Sequence, residues 1–184
     1  MRWPLNAFAL GTQVAKCSQD LTLAAARYVL GNVASEELAR VADTLLTEGV
    51  YSQAIGELGT TRGLVMAEAG PLFEQALRDL NVDLPSPDEA VWVLLRYHIG
   101  RIAYEEVSPR EGLQSVLDVY NRAHLYGQSG TYVGDSHGIE QLIAAYWEYK
   151  FLHCESLETD LDAMRTLDDT VVRAATEWVG QHGA

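Results

Sequence analysis

Four hydrogen-bonding or titratable side chains crowd into one glycine-flanked stretch, Gly134-Asp135-Ser136-His137-Gly138-Ile139-Glu140. Asp, His and Glu are the residue types of metal ligation and of acid–base catalysis, so chemistry is sought here first. His137 and Glu140 are three positions apart and can share a helical face. Glu148 and His153 lie farther along the same predicted helix. His153, however, is more than four turns from His137, roughly 24 Å at the helical rise, so one ion cannot reach both unless other helices fold back. Capping explains the same residues without chemistry. Asp135 or Ser136 serves as N-cap, and Glu140 in the first turns answers the helix dipole. The spacing is also a weak metal signal beside a true paired-histidine helix motif. The reading is therefore no metal and no cofactor.

His98 stands in an apolar stripe with Arg101 three and Glu105 seven positions on. Such a row can hold an anionic group or position a water, although a histidine in a stripe like this is more often a core residue satisfied locally. The aromatic residues tell more. Tyr120, Tyr126, Tyr132, Tyr146, Trp147 and Tyr149 fall within 30 residues. Tyr146, Trp147 and Tyr149 share one predicted helix but point in different directions, so a single core face cannot bury all three. Partly exposed Tyr and Trp anchor protein interfaces. The expected binding surface thus comprises Tyr126, Tyr132, Asp135, His137, Glu140, Trp147 and Glu148. No phosphate-cradling loop, nucleophile elbow, paired-histidine protease helix or dinucleotide fingerprint is present in the sequence.

Among the elements that carry these residues, the clearest signals are two helix starts, Ser86-Pro87-Asp88-Glu89 and Ser108-Pro109-Arg110-Glu111. In each, Ser caps, Glu reaches back, and Pro occupies the first helical position, where its missing N–H costs nothing. Between them, Val91, Leu94, Leu95, His98, Ile99 and Ile102 recur at amphipathic helical spacing. Further helices are expected from Asp20 to Gly31, from Ser35 to Gly49, from Pro71 to Leu80, after Ser108 to about His124, from Ser136 or His137 to His153, and from Asp160 to Val179. Glycines at 56, 59, 63 and 70 chop residues 50–70 into short pieces, and residues 126–138 form the longest expected loop. No strand alternation and no repeat emerges. The expected architecture is all-α: one domain over residues 1–184, an irregular bundle of about seven helices.

The chain has 184 residues, 48% of them hydrophobic, enough for one sizeable core. Its 26 acidic and 13 basic residues give a formal net charge of −13, concentrated in the last two thirds of the sequence. Such a surface repels nucleic acid and anionic membrane and favours a basic protein partner; the plain alternative is solubility alone. Cys17 and Cys154 have no metal or redox spacing, which fits a reduced, cytoplasmic setting. Asn6, Thr12 and Gln13 interrupt the apolar N-terminus, so no secretion signal is expected, and no apolar run approaches the ~20 residues of a membrane span.

The run Ser108-Pro109-Arg110-Glu111-Gly112-Leu113, with Tyr132-Val133-Gly134-Asp135-Ser136-His137-Gly138-Ile139-Glu140 and Tyr146-Trp147-Glu148-Tyr149, resembles a pattern in small, acidic, helical bacterial proteins of uncharacterised function. The resemblance covers the second half of the chain and implies no activity. By analogy of size and charge alone, it points to immunity or antitoxin-type partners of basic toxins. The leading expectation is a non-catalytic, acidic interaction protein that docks a basic protein. The alternative is a small hydrolase-like or metal-dependent enzyme using His98, Asp135, His137 and Glu140. A sensor of a small ligand between helices is a third.

Overall fold

The computed structural model describes residues 19–126, 137–155 and 161–182, with side chains at 124–126 and 153–155 left aside. Among the described residues there are eight helices and no strand, so the protein is all-α. The chain divides into two compact units, residues 1–86 and 87–184.

The first unit contains α1 (residues 19–29), α2 (Ser35–Thr47), α3 (Gln53–Thr60) and α4 (Met66–Asp79). Leu21, Leu38, Ile55 and Phe73, one from each helix, meet in its core. Two polar ties fasten α1. Arg27 pairs with Glu37 on α2, and the Tyr28 hydroxyl donates to Glu74 Oε1 on α4 at 2.7 Å. Burial, then that bond and the Glu74 charge, push the Tyr28 hydroxyl up to about 12.

Two expectations for this unit are corrected. Residues 53–60 form a full helix, α3, despite Gly56 and Gly59. Ser52 caps it by accepting from Ile55 N–H at 3.2 Å, and Gly59 is the point of close approach to α2. A Cβ there would stand 3.2 Å from Asp43 N and 3.3 Å from Ala42 C. The glycine is thus a packing device rather than a breaker. Next, α4 begins at Met66, with Pro71 inside it. Val65 has no side-chain acceptor, but Glu68 supplies half of a capping box by accepting from Val65 N–H at 3.3 Å. The proline costs one helical hydrogen bond near the start.

The second unit contains α5 (Pro87–Ala103), α6 (Pro109–Tyr126), α7 (Glu140–Glu155) and α8 (Leu161–His182). Both Ser-Pro signals start helices with Pro as the first residue. At the second, Glu111 N–H reaches Ser108 Oγ at 3.4 Å, while the Ser108 hydroxyl donates to Glu111 Oε2 at 2.9 Å. The expected reciprocal bond to the Ser108 N–H is replaced by this side-chain contact. Gly112 lets α6 close onto Ile102 of α5, because a Cβ there would lie 2.2 Å from Ile102 Cγ1. From α8, Leu167, Val171, Ala175 and Trp178 are buried at helical spacing. Among the described residues no helix is long and apolar enough to cross a membrane.

Candidate functional site

The expected site residues separate into two places on one segment, with others outside it. His137 is buried, and its ring lies 4.6 Å, centroid to centroid, from that of Trp92 on α5. Trp178 on α8 stacks on Trp92 at 6.0 Å, and its indole N–H donates to the His137 carbonyl at 2.7 Å. His182 fits against Trp92 and Trp178, and its carbonyl accepts from Arg96 Nε at 3.0 Å. The Arg96 guanidinium rests over the Trp92 ring at 5.7 Å. Rings and backbone thus lock His137 into the joint between α5 and α8.

The start of α7 differs from expectation. The helix begins at Glu140, and Gly138 just before it has φ +66°, a conformation that interrupts the helical run. Ile139 therefore takes the cap position, its carbonyl accepting from Ile143 N–H at 3.0 Å. Glu140 is exposed in the first turn, where the dipole favours it. Asp135 and Tyr132 lie outside the described residues, as does the side chain of Tyr126.

His98 is not brought to this corner. It sits six residues beyond Trp92 on α5, about 9 Å along the axis and on another side of the helix. Its ring meets Tyr97 at 5.1 Å. The His98–Arg101–Glu105 row does not form either. α5 ends at Ala103, Glu105 has φ 55°, and Arg101 turns to Glu106 at 3.6 Å and to the Tyr97 ring. Among the described residues no three His, Cys, Asp or Glu side chains are grouped so as to hold an ion.

The second place is the outer side of α7. Leu142, Ala145, Tyr146 and Tyr149 face inward. The Tyr146 hydroxyl donates to Gln114 Oε1 at 3.0 Å, and that of Tyr149 to Asp168. Burial chiefly, with the Asp168 bond, raises the Tyr149 hydroxyl well above its ordinary range. Trp147 and Phe151, one turn apart, remain 52% and 64% exposed, with Glu148 exposed beside them. Sequence reasoning selected Trp147 and Glu148 but missed Phe151, whose four-residue spacing from Trp147 was the available signal. It also missed Trp92 and His182 as the neighbours of His137.

No family model matches this chain, and no curated protein or solved structure shows significant similarity to it.

Proposed function

We propose that the protein is a non-catalytic interaction module that uses the outer face of α7 to dock a basic protein, in the manner of an immunity or antitoxin-type partner. One observation carries the reading. Trp147 and Phe151, one turn apart, stand 52% and 64% exposed on a helix whose inward face is made by other residues. Aromatic pairs of this kind supply interface affinity by filling pockets on a partner. The charge of the second unit sets the partner's sign. Residues 87–184 hold 16 acidic and 7 basic residues, a net of −9, against −4 for residues 1–86. An acidic surface steers cationic partners and raises their association rate.

The test uses immobilised full-length protein and soluble lysate of its native host, followed by kinetics on the purified binder. The expected binder is basic, and its association slows steeply as salt is raised through the screening range. Trp147→Ala with Phe151→Ala should speed dissociation at least tenfold, since anchors act on residence time. A binder indifferent to salt and to both substitutions would refute the assignment of this face.

A further inference from the structure

Within the second unit, α6 and α7 enclose an open cleft of about 450 Å³, a volume within the ordinary range for small-molecule sites. Its chemistry is opposite to that of the surrounding surface. Two cations line it, Arg110 from the first turn of α6 and Lys150 from α7, the latter one of only two lysines in the chain. Neither forms an ion pair among the described residues. The one acid in the lining, Glu111, is engaged by the Ser108 hydroxyl at 2.9 Å. The floor is made of Tyr146 and Tyr149, both mostly buried, with their hydroxyls tied to Gln114 and Asp168. Lys150 Nζ is held over the Tyr146 ring at 5.7 Å. Glu148 and Asp168 also lie within electrostatic reach of Tyr149, as does Arg110.

The geometry points to a binding site for a small organic oxyanion, a carboxylate or phosphate monoester with a flat apolar body, held between Arg110 and Lys150 and resting on the two tyrosines. Guanidinium presents a planar fork that matches both oxyanions, and an ammonium adds a movable second donor. Net repulsion from the remaining acids is local-range only, because charges farther than about 8 Å are screened at physiological ionic strength. Two cations against the one acid, Glu111, line the wall itself, so positive charge prevails at contact distance. The inference is independent of the docking role of Trp147 and Phe151, which belong to the outer side of α7.

Calorimetric titration of the full-length protein with phenyl phosphate and with benzoate, alongside neutral benzyl alcohol, tests it. Saturable one-to-one binding of at least one anion, without binding of the alcohol, is expected. Arg110→Ala and Lys150→Ala should each weaken it by about tenfold or more, as expected for loss of a charge-assisted hydrogen bond. Both side chains are exposed, so neither change threatens folding. Arg165→Ala, which removes an exposed cation from α8, should leave binding unchanged. In amide spectra, residues 108–114 and 146–150 should move on titration. Absence of saturable binding by either anion, or equal weakening by Arg165→Ala, would overturn the site; equal weakening would mark general counterion attraction.

Discussion

His137 and Trp147 lie ten residues apart on one segment, yet the first is sealed among aromatic rings and the second stands half in water. The difference is one of backbone. At residues 137–139 the left-handed Gly138 turns the chain so that His137 and Ile139 are both buried on successive odd positions. From Glu140 onward a straight helix can turn only one stripe inward, and 142, 145, 146 and 149 take it. Residues 147 and 151 are left outside. The titratable residue of the suggestive motif is packed among rings, while an aromatic residue of the same segment is half exposed.

The hardest way to break this contrast is to empty the buried corner. Trp178→Ala removes the stack on Trp92 and the donor to the His137 carbonyl. It should cost about 3–5 kcal/mol, the usual range for a buried Trp or Phe truncation. Denaturant titration followed by circular dichroism reads it, and a shift below about 1 kcal/mol would mean the corner is not part of the core.

A second break aims at the contact that brings α6 onto α5. In Gly112→Ala the new methyl would sit 2.2 Å from Ile102 Cγ1 and 2.8 Å from its Cδ1, and Ile102 is fully buried. Overpacking of this kind costs about 1–3 kcal/mol. Combining it with Ile102→Val should recover part of the loss; a double mutant no better than the sum of the two singles would place the strain elsewhere.

How much of this was legible follows from which signals are local. The starts of α5 and α6 were readable because Ser, Pro and Glu act on their own first turn. The stripe Leu167, Val171, Ala175 and Trp178 was readable because burial repeats at helical spacing. Gly59 and Gly112 misled or stayed silent because their roles depend on a second helix, and Pro71 misled because it stands inside α4 and not at its first position. A glycine at a close approach and a glycine in a loop are the same letter. The fate of His137 was illegible for the same reason: Trp92 and His182 lie 45 residues before and after it, and only the fold brings them together. His98 and His137 share a residue type but not a location, since only His137 stands beside Trp92 and Trp178.

A smaller effect compares the two units through a device they share, a tyrosine whose hydroxyl donates to a carboxylate on another helix. Tyr28→Phe should cost about 1 kcal/mol, the net value of one such bond. The pH dependence has a definite sign. The folded state raises the Tyr28 hydroxyl from 10.0 to about 12, so it favours the protonated form. The contribution is fully present below pH 10 and is lost as pH climbs towards 12. Wild type and Tyr28→Phe should therefore converge in stability across that alkaline window, as followed by denaturant titrations at several pH values. A gap that widens there would contradict the Tyr28–Glu74 bond.

The smallest expected effect sharpens the contrast most. If Trp147 and Phe151 contribute nothing to the core, changing both to Ala should alter stability by no more than about 0.5 kcal/mol, the ordinary range for surface substitutions. That is a demanding expectation for two large aromatic residues, since the same truncation in the core costs several times as much. Trp147 does touch the Tyr146 ring, edge to face at 5.4 Å. An aromatic pair of this geometry is worth about 0.5–1.5 kcal/mol when buried, and the 52% exposure of Trp147 places it at the low end. Near-zero change in the denaturation midpoint, with faster dissociation of a partner, would mean that the two residues serve binding and not folding. A loss of 2 kcal/mol or more, on the scale of a core deletion, would instead make the outer side of α7 a covered surface and remove the ground for docking there.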